Sequence, residues 1–409
     1  MKVLQLNCVF QRGSTGKIVS DIHNALLDLG IESIVGYGHG KKMYDFAYRF
    51  TIPLEAKIHS LNRRLGIVLP YGGMWMSTSR LISFIKREKP DIVHLHCMNG
   101  STVNIYKLLE FLAQNKYKTV VTNHAEFYYT GSCEHAFNCI AWTKNTGCEN
   151  CPNARRATLS YMIDRTSQAW GAMCNAFKKF ENNNIIFTAV SPWMRSRILT
   201  STILKRFRCD VVMNGVESKF FHYTPDVMIH NKIKTHGCRK IILHVTAYFN
   251  PSDKDDLKGG WYIVELARML PQFLFIIVAI RQKSAVQYPP NICIWNKIDD
   301  QQKLAELYSV ADLTVIASKR ETFSMIVAES LCCGTPIVGF RAGGPESIAI
   351  NTYSHFVEFG NLQALSNAIL DMIGCNYDKR RVSSEAISKY CKEAMAISYV
   401  NIYKDLMKA

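Results

Sequence analysis

Two carboxylates beside a predicted helix start are the feature of this sequence best suited to ligand chemistry. Glu321 lies in a short loop after an apolar stretch that ends at Ser318. A helix is predicted to begin near Ser324, and Glu329 follows more than one turn later. Free N–H groups at a helix start attract anions, with about 0.3–2 kcal/mol from the helix dipole alone. The spacing suits a ligand with hydroxyl groups on both sides of a phosphate, and a capped surface helix with two solvated acids explains it equally well.

Two further polar residues stand near the ends of predicted buried strands. His124 ends the strand predicted over residues 118–124, and Lys258 lies in the sequence LKGG after the strand predicted over residues 240–246. The carboxyl ends of parallel strands meet where ligands bind in such sheets. Taken alone, a strand-end histidine is more often structural, and a loop lysine is more often a solvated surface residue.

A loop of small residues follows the first predicted strand and opens a helix. It reads QRGSTGK over residues 11–17, and Gly13 and Gly16 would let the backbone approach a ligand closely. It is not a Walker A loop, because Gln11 stands where the first glycine of that motif belongs. Such a turn also occurs where only helix packing requires it.

Four cysteines form a separate cluster after His124. Their spacing is C-x5-C-x8-C-x2-C, and the residues are Cys133, Cys139, Cys148 and Cys151. Four thiols can satisfy a tetrahedral zinc ion, with His135 as a substitute ligand. Structural zinc contributes roughly 10–16 kcal/mol, enough to staple a long loop. We predict one structural zinc ion here; unliganded thiols and disulfide or redox chemistry are the alternatives.

Composition and charge limit the class of protein. The 409 residues, 48% of them hydrophobic and 20% charged, suit two soluble domains. The longest apolar run, residues 273–280, is too short to span a membrane, and the N-terminus does not resemble a signal peptide. We therefore expect a cytoplasmic protein whose fourteen cysteines are reduced thiols or metal ligands.

The net charge of +16 predicts an anionic partner. Nucleic acid is not expected, because the basic residues are dispersed and no aromatic RNA platform or zinc-finger spacing occurs. Between Lys57 and Lys89, however, basic residues alternate with apolar and aromatic ones. This mixture predicts a peripheral site on the anionic inner face of the plasma membrane. A solvated positive face over an ordinary core is the competing interpretation.

Alternating strands and helices must position these residues. Two successive series of apolar strands separated by helices predict two doubly wound α/β domains that face a central cleft. We place the first domain at residues 1–200, with a cysteine-rich insert at 126–155, and the second at 201–385. Residues 386–409 are predicted to form a helix that packs back on the first domain, and residues 156–180 are predicted to form one helix.

Several motifs resemble those of glycosyltransferase family 4. The pair Glu321-x7-Glu329, followed by GTPIV at residues 334–338 and GGPE at 343–346, is similar to the C-terminal signature of that family. The sequence NGV at residues 214–216 resembles its domain-junction motif. The resemblance covers most of the chain. It implies a GT-B fold, no metal or other cofactor at the reaction centre, and retention of anomeric configuration.

The resemblance also implies roles for the second half of the chain. Glu321 would hold hydroxyl groups of the donor sugar, and Glu329 would hold the ribose. The backbone of Phe323, Ser324 and Met325 would cradle the diphosphate. Lys258 matches the lysine that binds phosphate in the family, but the arginine that usually precedes it is absent; Arg281 and Arg320 are candidates to replace it.

In the first half, the implied roles fall on the glycine loop and on His124. Gly13 and Gly16 would face the diphosphate and the acceptor, and His124 would contact the donor sugar near its reacting carbon. The Asp that usually follows this histidine is Ala125 here, with Glu126 next. That change leaves a His–Asp pairing open and does not affect the histidine itself.

The expected function is therefore transfer of a sugar from a UDP- or GDP-sugar to a glycan or undecaprenyl-linked acceptor. A similar cysteine-rich insert occurs in a branch of the family associated with bacterial surface polysaccharides (O-antigen of lipopolysaccharide, capsule or exopolysaccharide). A GT-B nucleotide-sugar epimerase or hydrolase is the closest alternative. A degenerate scaffold and a zinc-containing nucleic-acid-binding protein are more distant ones.

Overall fold

The computed structural model describes residues 1–40, 44–225, 240–281 and 286–408 and divides the chain into two compact units. The first unit comprises Met1–Met213 with Met395–Ala409, and the second is Asn214–Ala394. The first boundary lies thirteen residues later than the predicted 200/201, because residues 209–211 still pair with the first sheet. Of the predicted helix 386–409, only the part from Met395 belongs to the first unit.

The first unit is built on a parallel sheet of seven strands in the order β3-β2-β1-β4-β5-β6-β7. Its strands are β1 (Lys2–Val9), β2 (Glu32–His39), β3 (Ala47–Arg49), β4 (Ile92–Leu95), β5 (Lys118–Asn123), β6 (Ile185–Ala189) and β7 (Cys209–Val211). The central strands are buried on both faces, as their continuous apolar runs predict. The strand order reverses between β1 and β4, which defines a switch point at their carboxyl ends.

The α-helices of this unit up to residue 200 are α1 (Gly13–Asp28), α2 (Pro53–Arg64), α3 (Trp75–Glu88), α4 (Ile105–Gln114), α5 (Phe127–Thr130), α6 (Ala154–Thr158), α7 (Thr166–Lys178) and α8 (Pro192–Thr200). The prediction of one helix over residues 156–180 is wrong. Leu159 adopts a left-handed conformation (φ +54°) that ends α6. The carboxylate of Asp164 then accepts hydrogen bonds from the backbone N–H and the hydroxyl of Thr166, where α7 begins.

The second unit has a parallel sheet of six strands in the order β10-β9-β8-β11-β12-β13. Its strands are β8 (Ile241–Phe249), β9 (Leu274–Arg281), β10 (Ile292–Asn296), β11 (Leu313–Ile316), β12 (Ile337–Phe340) and β13 (Ser354–Val357). Its described α-helices are α9 (Gly260–Met269), α10 (Gln301–Val310), α11 (Met325–Cys332), α12 (Gly344–Ile348), α13 (Leu362–Gly374) and α14 (Lys379–Tyr390). Here the order reverses between β8 and β11.

The last helix, α15 (Lys392–Lys408), returns the chain to the first unit. Tyr399 and Tyr403 are completely buried and pack in one apolar cluster with Val3, Ile92 and Val120 of the first sheet. The helix thereby covers one face of that sheet. Over the described ranges, no helix combines the length and apolar character needed to cross a bilayer.

Candidate active site

The switch point of the second sheet brings together the loops that follow β8 and β11. Gly259 ends the first loop with φ +70°, and a Cβ there would lie 2.1 Å from the carbonyl oxygen of Ala317. Only glycine permits this conformation and this approach. The backbone N–H of Lys319 also donates to the carbonyl of Leu257 at 2.9 Å. Lys258 is thus fixed beside the end of β11.

Lys258 and Glu321 form an ion pair across this switch point. The Nζ of Lys258 lies 2.6 Å from Oε1 of Glu321, and the side chains are 29% and 20% exposed. Burial lowers the pKa of Lys258, but the nearby carboxylate of Glu321 outweighs burial and raises it above its ordinary value. The lysine is therefore a fixed cation at the edge where ligands bind in such sheets.

The backbone of Glu321 is held by the loop that follows β12. Its N–H donates to the carbonyl of Ala342 at 3.1 Å, and its carbonyl accepts from the N–H of Gly344 at 2.9 Å. A Cβ at Gly344 would lie 2.4 Å from the carbonyl carbon of Thr322, so this position also requires glycine. Gly344 of the GGPE segment thus helps to position the glutamate.

Helix α11 begins directly after this loop with an uncapped amino terminus. Ser324 precedes it with φ +81° and makes no side-chain cap, and Met325 is its first, half-buried residue. Within the described ranges, the buried hydroxyl of Ser324 has no hydrogen-bond partner. Phe323 is buried beneath the loop. A strained serine with a buried, unpaired hydroxyl at a helix start suits an anionic ligand.

Glu329 lies within α11 and contacts a residue of α10. The hydroxyl of Tyr308 donates to Oε2 of Glu329 at 3.3 Å. Burial raises the pKa of Tyr308 well above its ordinary value, and the charge of Glu329 raises it further. Of the two predicted acids, the structure therefore pairs Glu321 with a lysine and Glu329 with a tyrosine.

The β8–α9 loop contains carboxylates where the family usually has its arginine. Oδ2 of Asp256 accepts from the backbone N–H of Lys258 at 2.9 Å, and Asp255 forms an ion pair with Lys319 at 3.1 Å. These acids shape the loop that carries Lys258. Of the suggested replacements, Arg320 precedes Glu321 and is half-buried, whereas the side chain of Arg281 lies outside the described part of the chain.

The glycine loop lies at the switch point of the first sheet. Gly13 starts α1 with φ +63°, and a Cβ there would meet nothing within 4 Å, so the loop is open at this residue. Gly16 is closely packed: a Cβ would lie 3.2 Å from a methyl group of Val9, and its carbonyl accepts from the N–H of Gln11. Gly13 therefore leaves room for a ligand, whereas Gly16 serves packing of α1 on β1.

His124 follows β5 and contacts a second histidine that the sequence reading missed. Its Nε2 lies 3.2 Å from Nδ1 of His96, and Nε2 of His96 lies 2.7 Å from Oε1 of Gln5. Burial lowers the pKa of His124 to about 4 and the pKa of His96 well below its ordinary value. Both imidazoles are neutral at physiological pH. The signal was the HLH sequence at residues 94–96, where β4, the strand that pairs with β5, ends.

Glu126 does not act as a partner for His124. Its buried carboxylate pairs with Arg197 at 2.7 Å and accepts from the hydroxyl of Tyr129 at 2.7 Å and from the N–H of Ala136. The guanidinium of Arg197 also lies 4.8 Å from the ring centre of Trp142. This arrangement anchors the cysteine-rich insert to α8. Trp142 of the insert is itself buried in the apolar core of the first unit.

The four cysteines of the insert lie near one another. Burial raises the pKa of Cys133 above its ordinary range, and the thiols of Cys148, Cys151 and Cys139 raise it further. Burial likewise raises the pKa of Cys148 to about 12. In the described ranges, however, no three His, Cys, Asp or Glu side chains are arranged to hold a metal ion. The zinc ion stays a prediction.

The fold and the two switch-point sites define a class of enzyme, the GT-B glycosyltransferases. A family described as "Glycosyl transferases group 1" matches residues 279–390, and "Glycosyltransferase Family 4" matches residues 15–220. The second match covers half of the chain. The chain belongs to Glycosyltransferase Family 4, and it is a glycosyltransferase.

Individual relatives agree with this assignment. A protein of Escherichia coli named "Putative colanic acid biosynthesis glycosyl transferase WcaC" is 20% identical over 99% of this chain and 100% of its own length. The N-acetyl-alpha-D-glucosaminyl L-malate synthase of Bacillus anthracis is 26% identical over 48% of this chain and 54% of its own.

Solved structures confirm the GT-B fold. A glycosyltransferase from Rickettsia africae has a TM-score of 0.67 at 16% identity, covering 100% of this chain and 99% of its own. Anabaena HepE in complex with UDP-glucose has a TM-score of 0.65 at 14% identity, covering 99% of both chains. At these identities the likeness concerns the fold alone.

Proposed function

We propose that this protein is a retaining glycosyltransferase that moves a sugar from a UDP- or GDP-sugar to a glycan or lipid-linked glycan acceptor in bacterial surface polysaccharide synthesis. The observation that carries the proposal is the Lys258–Glu321 ion pair beside the uncapped start of α11. The complex of HepE with UDP-glucose supports a nucleotide-sugar donor. The colanic acid relative, which matches over its full length, supports a polysaccharide pathway.

The chemistry follows from where charge develops. As the glycosidic bond to the nucleotide breaks, negative charge grows on the leaving diphosphate. The ammonium of Lys258 and the backbone N–H groups at the start of α11 would stabilise that charge, and Glu321 would accept hydrogen bonds from sugar hydroxyls. A fixed donor of this kind typically contributes about 3 kcal/mol to the transition state. In the proposed front-face reaction the leaving phosphate itself takes the proton of the acceptor hydroxyl, and no protein nucleophile takes part.

The first test is a thermal-shift screen of nucleotide sugars, because a ligand that binds only the folded protein raises its stability. We expect UDP- or GDP-sugars to raise the melting temperature, and Lys258→Met to reduce that rise. Lys254→Met is the matched control, since Lys254 is an exposed lysine of the same loop. A set of nucleotide sugars that leaves the wild-type melting temperature unchanged would overturn the proposal.

The second test concerns the product. The anomeric proton signal of the new glycosidic linkage distinguishes retention from inversion at the transferred sugar. An epimerase would return an altered nucleotide sugar, and a hydrolase would release free sugar even when a polysaccharide-repeat acceptor is present. Either of those products, or an inverted linkage, would refute the proposed reaction while leaving the donor site intact.

A further inference from the structure

Helix α2 exposes its apolar residues to solvent instead of burying them. Leu54, Ile58, Leu61 and Leu65 recur at the spacing of one helical face, and all four are exposed, by 67, 54, 59 and 39%. In a globular protein such a stripe normally faces the core. The buried side chain of α2 is instead His59, which hydrogen-bonds to the hydroxyl of Ser101 at 2.9 Å. The helix is thus fixed by a polar contact and turns its apolar stripe to solvent.

Two neighbouring segments extend this stripe. Tyr161, Met162 and Ile163 are exposed, and the N–H of Tyr161 donates to the carbonyl of Arg64 at the end of α2. At the other end, Glu55 accepts from the backbone N–H of Met76 at 2.8 Å, where the exposed Trp75 and Met76 begin α3. We name the whole surface the α2 apolar face; it consists of Leu54, Ile58, Leu61, Leu65, Trp75, Met76, Tyr161, Met162 and Ile163. Exposed apolar side chains gathered on neighbouring segments in this way mark an interaction site.

The segment that comprises α2 and α3 carries a net positive charge. Residues 53–89 contain seven Lys or Arg and two Glu. Both acids are engaged: Glu55 accepts from the N-terminal end of α3, and Glu88 pairs with Lys2 and Arg87. Lys57 and Arg64 are exposed beside the apolar stripe. An apolar face with aromatic residues and surplus positive charge complements an anionic lipid surface.

We infer that the α2 apolar face binds an anionic bilayer and seats the first unit at the membrane–water interface. The inference extends the proposed function and rests on it in one respect. If the acceptor is lipid-linked, as proposed, it would be presented at that membrane surface. Ile58, Leu61 and Met162 would enter the headgroup region, and Lys57 and Arg64 would contact lipid phosphates. Binding would require both components, because a short apolar face without charge gives only weak, reversible attachment.

The test is flotation of the full-length protein with phosphatidylcholine vesicles, with and without phosphatidylglycerol. We expect wild-type protein to float with the anionic vesicles only, and to be released as salt rises. The double variant Ile58→Ser/Leu61→Ser should bind the vesicles at least about tenfold more weakly than wild type. Met162→Ser, on the separate loop, should also weaken binding. Since these side chains are exposed, folding should be retained. The control, Met269→Ser/Leu370→Ser, replaces two exposed residues of the second unit and should float like wild type.

Three outcomes would overturn the inference. Wild-type protein could remain unbound to anionic vesicles, or the α2 variants could float unchanged. Sedimentation could also reveal a dimer that the α2 variants dissociate, which would assign the face to a second copy of the chain. The nucleotide-sugar thermal shift, measured on the same preparations, separates this inference from the proposed function: a retained shift without flotation refutes only the membrane site, and flotation without any shift refutes only the donor site.

Discussion

Separating catalysis from stability at the Lys258–Glu321 pair is the sharpest test of the candidate site. We consider Lys258→Met, Glu321→Gln and the double variant. Methionine keeps the length and apolar stem of the lysine and removes its charge, and glutamine keeps the shape of the glutamate. Lys254→Met again serves as the control. The question is whether the pair mainly stabilises the fold or mainly acts on the leaving diphosphate.

The geometry sets the expected magnitudes. At an effective dielectric constant of about 20, two unit charges 2.6 Å apart attract by about 6 kcal/mol before desolvation is subtracted. Partly exposed pairs retain only about 0.2–1 kcal/mol after desolvation and side-chain ordering. Lys258→Met should therefore lower the free energy of unfolding by about 1 kcal/mol. Loss of a fixed transition-state donor costs about 3 kcal/mol, so kcat should fall roughly 100-fold or more.

The assay pairs urea unfolding with single-turnover release of the nucleoside diphosphate for each variant. In the double variant, the loss of activity should be smaller than the sum of the two single losses, because both side chains act on one leaving group. If Lys258→Met keeps kcat within tenfold of wild type, or if its loss of activity only follows its loss of stability, Lys258 is structural and the proposed chemistry fails.

Three further predictions follow from the same contacts. Gly344→Ala should lower both stability and activity, since its Cβ would meet the backbone of Thr322 at 2.4 Å; urea unfolding and kcat measure the two effects. Burial lowers the pKa of His124 to about 4, so the unfolded chain, with a pKa near 6.5, binds more protons between these values. The contribution of neutral His124 to the free energy of unfolding is then present above pH 6.5 and is lost as the pH falls toward 4. The free energy of unfolding of His124→Asn should therefore depend less on pH than that of the wild type. Elemental analysis should find one zinc ion per chain bound by the cysteine cluster; zinc-free protein whose four thiols all titrate in the native state contradicts that prediction.

Sequence reasoning located the strands and the loops at their ends more reliably than the partners of each side chain. Buried parallel strands are continuous apolar runs, and the carboxyl end of such a run marks the ligand edge of the sheet, so Lys258 and Glu321 could be placed near one another. The short edge strands β3 and β7 were missed because three residues carry too little periodicity. The break after α6 was missed because a left-handed leucine leaves no signature in an apolar pattern.

The sequence could not predict which side chains, distant along the chain, would pair with one another. Glu126 and Arg197 are 71 residues apart, and nothing in either segment specifies that one will neutralise the other. The motif pattern directed attention to Glu126 as a neighbour of His124, whereas folding buries that carboxylate, and a buried charge needs a cation. Likewise, α2 looks like an ordinary amphipathic helix in sequence. Only its packing through His59 reveals that the apolar side faces solvent.

The histidine contacts of the first unit restrict what His124 can do. With Oε1 of Gln5 facing His96, the Nε2 of His96 must donate, because an amide oxygen only accepts. His96 is neutral, so its Nδ1 carries no proton and accepts the N–H of His124 at Nε2. The neutral His124 is then unprotonated at Nδ1, where it can accept a hydrogen bond but not donate one. A ligand group that meets Nδ1 of His124 would therefore have to donate, and this direction is set by Gln5 in the middle of β1 and by His96 directly after β4.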